Sequence, residues 1–335
     1  MTLGSTEVSG PDGQGCPVLT WLGDTWSIVD GKAINTPTVG AGELLADPGL
    51  EATYTDGLCD SLSKQGSPTI AESADAHGGA KAQSFIGIAA NNATFPKHTF
   101  VVGTWYLCSA WFKRSAGTQG WAYFGSNLAA SSLYLSILGS SSYAQKLLTG
   151  RATSTSMDIC CPIQANGGGG DTILVDDISI QALDLDTLFS SLSSVGTPNV
   201  IADVDLTIVA GTQSGLVLCL DSAVTPRNFL VAYHNRVNAF LDKAVWDGSK
   251  IVYTNLVSAA ATYAANATLR VIKSGTSVSL SYNNAKIGAT ATVADATVIS
   301  NTIHGLFSTY SGNTLDNFAL WATGDENQYA ILDTF

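Results

Sequence analysis

Charge is scarce in this sequence. Asp, Glu, Lys and Arg make up 13% of its 335 residues, against roughly a quarter in ordinary soluble domains. Cations are scarcest: 15 Lys and Arg stand against 27 Asp and Glu, giving a formal net charge of −12. No basic cluster occurs anywhere, and binding to nucleic-acid phosphates needs one, so nucleic acid is excluded as the main partner. Long apolar runs are also missing. No stretch approaches the roughly 20 residues of a bilayer-spanning helix, so no membrane insertion is expected. The opening segment MTLGSTEVSGPDGQGCPVL has no Lys or Arg and no apolar run of signal-peptide length, so synthesis and folding in a cytoplasm are expected. The six cysteines, Cys16, Cys59, Cys108, Cys160, Cys161 and Cys219, lack CxxC spacing, and a reducing compartment would keep them as thiols. Cys108 and Cys219 sit in apolar strand patterns and are expected to be small buried hydrophobes. His77, His98, His234 and His304 show neither H-x-x-x-H nor HExxH spacing, which argues against a catalytic zinc. Gly167 to Gly170 lead into Asp171 and not into Lys-Ser/Thr, so they do not form a phosphate cradle. A Gly-x-Ser-x-Gly elbow is absent too.

What is present is short alternation. With 33 glycines and many Ser, Thr, Ala and Asn, the chain reads as alternating apolar runs broken by turn residues, the pattern of antiparallel β-sandwiches. Its length allows two ordinary domains or one large one. Trp26 to Asn35 alternates about Asp30-Gly31 and reads as a pair of opening strands. Ala202, Val204, Leu206 and Ile208 share one face of a later strand; Leu216, Leu218 and Leu220 share one face of the next, and Phe229, Val231 and Tyr233 of another. Leu269 to Gly288 reads as two successive hairpins, turning at Ser274-Gly275 and Asn283-Asn284, where the residue types tolerate positive φ. Trp21, Trp26, Trp246 and Trp321 are expected in the core or at an interface.

Four stretches resemble, in order, the motifs of family 4/9-type carbohydrate-binding modules. Glu43 to Glu51 resembles their "N-L-x-x-N-x-G-F-E" opening, and Ala76 to Phe85 their "H-S-G-x-x-S-L" strand. Gly103 to Lys113 resembles their "G-x-x-Y-x-x-S-x-W-x-K" strand, and Asp171 to Ile180 their terminal "V-D-D-V-S-L". The hairpin run with Leu315 to Leu320 resembles concanavalin A-like lectin and laminin-G sandwiches, whose opening strands would have to come from before residue 41. The resemblances imply an all-β chain of two antiparallel β-sandwiches (jelly rolls), one nested in the other. Residues 1–20 would be an N-terminal arm. Residues 21–40 and 186–324 would form the concanavalin A-like sandwich, 41–185 the inserted module, and 325–335 a C-terminal tail.

The same resemblance implies a structural Ca²⁺ held by Glu51, Asp176 and backbone carbonyls near Gly49 and in the His77–Lys81 loop, with Asp316 in an analogous place in the outer sandwich. It also implies sugar-stacking platforms at Trp111, Trp121, Tyr123 and Tyr134; Trp105 and Tyr106 read as packing residues. Glucanases of the lectin-like fold use an E-x-D-x-x-E type strand, and none occurs. The nearest acidic strand, Ala202 to Leu206, has no Glu, so no pair of facing carboxylates for hydrolysis volunteers. The expected protein is non-catalytic: a phage virion component (capsid decoration, tail or fibre), homo-oligomeric, in contact with other virion proteins and with host glycans. The alternative is a secreted or surface polysaccharide-binding accessory protein acting outside the cell.

Overall fold

In the computed structural model, the described residues are 25–40, 42–65, 69–86, 93–96, 98–116, 121–124, 128–129, 133–136, 141–153, 155, 163–164, 172–192, 196–323 and 331–333. The expected arm at 1–20 lies outside them. Among the described residues, nearly all regular structure is antiparallel strand, with one short α-helix, Ala296–Ile299, and one 3-10 turn, Leu185–Thr187. The chain is all-β, and it divides into two compact units: Met1–Thr38 with Asp184–Phe335, and Val39–Leu183. The crossings lie at 38/39 and 183/184 and not at 40/41 and 185/186. The reason is local pairing: Val39 bridges Leu183, and the Gly40 N–H donates to Ala182 O at 3.0 Å.

In the first unit, an eight-stranded sheet runs Trp26–Val29, Lys32–Asn35, Thr314–Ala322, Val200–Thr207, Ala267–Ser274, Ser277–Tyr282, Ala285–Thr292. Its eighth strand, Ile331–Asp333, pairs with Phe318 to Leu320, which corrects the expectation that 325–335 is only a tail. A six-stranded sheet runs Phe189–Leu192, Ile303–Ser308, Ser214–Leu220, Phe229–His234, Asn238–Trp246, Ile251–Ala260. Val204, Leu206 and Leu269 from the first sheet and Leu216, Leu218 and Leu230 from the second share one buried core, which also takes in Trp26.

The alternation in Phe229–His234 resolves differently from its simplest reading. Leu230 and Ala232 face that core. Phe229 and Tyr233, buried as well, lie in an aromatic cluster with Phe189, Phe240 and Phe307. Gly215 stands opposite both Tyr233 and Phe307, and a Cβ there would collide with Ala232 O.

The second unit centres on a six-stranded sheet, Leu128–Ala129, Ala144–Ala152, Trp105–Ala116, Thr172–Ala182, Ala82–Ile86, Thr69–Ser73. The two pairs Tyr54–Thr55/Leu58–Cys59 and Leu62–Gln65/Ala93–Pro96 and a three-stranded sheet complete it. Tyr106, Cys108, Ala110 and Phe112 point to its core with Phe85, Ile173, Val175 and Leu50. A strand's side chains alternate between faces, so Ser109, Trp111 and Lys113 stand on the face opposite the core. Trp105 and Tyr106 are buried, as packing residues should be, and so are Cys108 and, in the first unit, Cys219.

Candidate functional site

The opposite face of this sheet gathers the chemistry. Trp111 lies across from Gln145 on one neighbouring strand and Asp176 on the other. The segment before Ala82–Ile86 turns over it through His77, Gly78 and Gly79. Gly79 has φ +65, and a Cβ on it would collide with Glu51 Oε1, while a Cβ on Gly78 would lie 2.8 Å from Asp177 Oδ2. Two glycines are therefore what the close approach of this turn to two carboxylates requires.

Carboxylates hold the turn by its backbone. Asp176 is fully buried. Its Oδ2 accepts from His77 N at 2.7 Å and Gly78 N at 3.1 Å, and its Oδ1 from Asp177 N at 2.8 Å. Burial pushes its carboxyl upward, against the pull of those three N–H donors. Glu51 Oε1 accepts from Ala80 N at 2.7 Å and Lys81 N at 3.0 Å. Asp47 in turn accepts from Glu51 N and Ala52 N.

Held this way, the His77 ring stacks on Trp111 with centroids 3.8 Å apart and planes 13° from parallel. Its Nδ1 lies 2.6 Å from Asp177 Oδ2, and Tyr143 meets it edge-on at 5.5 Å. Lys113 Nζ donates to both Asp75 oxygens at 2.8 and 2.6 Å and lies 5.6 Å from the Tyr143 ring centre. The Tyr143 hydroxyl donates to Asp75 O at 2.6 Å. Burial first, then Asp176, Asp75 and Asp177, push that phenol far above its ordinary value. The result is a half-exposed group of three rings bordered by a Lys–Asp pair.

Of the expected platforms, only Trp111 belongs to this group. Trp121 and Tyr123 lie on Trp121–Phe124 and Tyr134 on Leu133–Ser136, strands of the separate three-stranded sheet, with Tyr123 directly across from Tyr134. Their side chains lie outside the described residues. One face of Trp111 is already covered by His77. The sequence reading missed His77, Lys113 and Tyr143 as partners. Lys113, two residues beyond Trp111, shares its face by strand period; nothing in the sequence brings Tyr143 there.

The expected calcium ligands Glu51 and Asp176 stand at the His77–Lys81 turn, bonded to its backbone. Glu51 and Asp176 both serve as acceptors for backbone N–H groups, which present positive dipoles, and Ca²⁺ wants six to eight oxygens. Gly49 lies beside Glu51 and Asp177. Among the described residues, no group of three or more His, Cys, Asp and Glu side chains could hold a metal ion. In the first unit, Asp316 Oδ1 accepts from Asn317 N at 2.8 Å and Lys32 lies 4.0 Å away. The acidic strand there is also structurally engaged: Asp203 takes a two-pronged bond from Arg270, and Asp205 accepts from Thr268 and Asn317.

No protein-family model matches the chain, and no curated protein matches it. Among solved structures, it is similar to the carbohydrate-binding module CBM66 from Bacillus subtilis, at 14% identity and a TM-score of 0.33, over 42% of this chain and 86% of that one. It is also similar to the N-terminal CBM22-1–CBM22-2 tandem domain of Xyn10C from Paenibacillus barcinonensis, at 10% identity and a TM-score of 0.34, over 86% and 99% of the two chains.

Proposed function

We propose that this is a non-catalytic carbohydrate-binding protein, with a sugar site at Trp111, His77, Tyr143, Lys113 and Asp75. The observation that supports it is the half-exposed stack of His77 on Trp111 beside the Lys113–Asp75 pair. A pyranose offers a C–H face and a rim of hydroxyls. The aromatic surface suits the first, and ionised donors and acceptors suit the second. Trp121, Tyr123 and Tyr134 enter the same proposal as further stacking positions. Binding should be weak, since one or two stacked rings bury little area against the cost of association. In a cell-wall polysaccharide pull-down or a glycan array, Trp111→Ala should lose at least about tenfold of the signal. Equal binding by the two proteins would remove Trp111 from the site.

The finer reading places the protein in a phage virion as a homo-oligomeric decoration, tail or fibre component, against the alternative of a secreted or surface accessory binder. What supports it is a surface poor in charge and strands rich in Ser, Thr, Ala and Gly, which suit close subunit packing. Sedimentation and mass spectrometry of purified particles test it: an oligomer found in particles upholds it, and a monomer absent from them promotes the accessory binder. The calcium at Glu51, Asp176 and Gly49 is likewise a proposal, and it would compete with the N–H donors that Asp176 holds on both of its oxygens. Millimolar CaCl₂ after EDTA should then raise the melting temperature by mass action, and Asp176→Ala should abolish the response. Coincident curves for the wild type would reject the ion.

A further inference from the structure

Trp246 ends the strand Asn238–Trp246 in the first unit. Val245 packs against the core, so Trp246 stands on the other face of its sheet. Among the described residues it is the most exposed tryptophan, at 42%, so of the expected core or interface position the core one is ruled out. The backbone that carries this exposed indole is held in place by its neighbours. Its backbone N–H donates to Asn228 Oδ1 at 3.0 Å. Asn228 Nδ2 donates to Asp221 Oδ2 at 2.5 Å, and Asp221 Oδ1 accepts from Arg227 N at 2.9 Å. The turn that follows is closed by Asp247, whose Oδ1 accepts from Ser249 N, Ser249 Oγ and Lys250 N.

Arg227 completes the arrangement. Its guanidinium carbon lies 6.0 Å from the Trp246 ring centre, within reach of a cation–π contact. Its Nη1 donates to Asp186 Oδ1 at 2.9 Å and to Pro226 O at 3.0 Å. The plan is that of Trp111. In each unit, a tryptophan on the face of a six-stranded sheet opposite the core has a flat nitrogen-bearing side chain near it, stacked at 3.8 Å in one and 6.0 Å from the ring centre in the other, and an aspartate anchors that side chain: His77 with Asp177 in one, Arg227 with Asp186 in the other.

We infer that Trp246 is a second sugar-stacking site, so that the chain binds two saccharide segments, one on each sandwich. The ligand class is a pyranose chain that lays a C–H face on the indole and turns hydroxyls toward Arg227 and Asn228. This inference rests on the carbohydrate reading of the Trp111 site. The two are separated by counting. Soluble hexasaccharides of β-linked glucose, xylose, mannose and N-acetylglucosamine are brought to equilibrium dialysis with the full chain, and bound sugar per chain is read at saturation. The wild type should approach two, Trp246→Ala and Trp111→Ala one each, and the double variant none. Arg227→Met, which keeps the stem but not the charge, should weaken the second site severalfold at unchanged melting temperature. A wild type that saturates at one, with Trp246→Ala unchanged, overturns the second site and leaves the first. No binding of any hexasaccharide overturns both.

Discussion

His304 and His234 are kept neutral by the fold. Both are fully buried. In His304, Nε2 donates to Thr197 O and Nδ1 accepts from Cys219 N; in His234, Nε2 donates to Ala261 O and Nδ1 accepts from Arg236 N. Burial pulls each imidazole down from 6.5 to about 4. Below 6.5 the unfolded chain therefore binds more protons than the native one, so stability is complete above that pH and is lost as pH falls toward 4. Each should contribute a loss of about 2 kcal/mol between pH 7 and pH 5. Urea midpoints measured at the two pH values should show it, with a shallower loss in His304→Gln. Asp176 is a different kind of residue, a hub for three backbone donors. Asp176→Ala leaves the amides of His77, Gly78 and Asp177 without that acceptor and should cost about 2–4 kcal/mol in urea unfolding. The near-ultraviolet signal of Trp111 should weaken with it as His77 comes loose. None of these burdens shows in the sequence, where the four histidines look alike and Asp176 is one carboxylate beside another.

At the scale of elements, both units use one device on a late strand. In Thr172–Ala182, pairing with Trp105–Ala116 shifts register between Asp176 and Ser179, Asp177 takes φ 46, and Asp176 caps its neighbour's N–H. In Thr314–Ala322, Asn317 takes φ 50, Asp316 caps its N–H, and pairing with Val200–Thr207 shifts between Asp203 and Asp205. Asp and Asn are the residues that tolerate such a bulge. The second hairpin turns at Asn283-Asn284 as read, while the first turns at Gly275-Thr276, one residue later than Ser274-Gly275, because Ser274 still pairs with Ser277. Gly275 has φ 57, and Asn283 and Asn284 have φ 48 and 63, closing Ala267–Ser274 onto Ser277–Tyr282 and that strand onto Ala285–Thr292. Gly215 was not legible in this way, because its need comes from a strand beside it and not from its own dihedrals. Gly215→Ala should cost about 3 kcal/mol or more, as overpacking against backbone does. Thermal melting should show the loss, and a variant as stable as the wild type would mean that the strands can separate freely there.

For the whole molecule, the testable feature is the independence of the second unit. Its own core runs from Leu45 and Leu50 to Ile178 and Ile180, so a fragment of residues 39–183 should unfold in one cooperative urea transition. A fragment without a transition would show that the core needs the remainder of the chain. By itself, the sequence determined the all-β class, the hairpin turn at Asn283-Asn284, the one at Ser274-Gly275 to within a residue, and the core faces at Val204 and Leu216. Period-two alternation and positive-φ residue types are local properties, and a reader of the chain can see them. Only the tertiary structure decided that Lys32–Asn35 pairs with Leu315 far along the chain, that Phe229 and Tyr233 lie in an aromatic cluster apart from the inter-sheet core, and that Trp246 is exposed while Trp26 is buried. It alone brought Tyr143 and His77 to Trp111 and turned Glu51 and Asp176 toward backbone amides. Those outcomes depend on which strands become neighbours and which side chains arrive from the next strand or turn, and alternation within one strand carries no record of either.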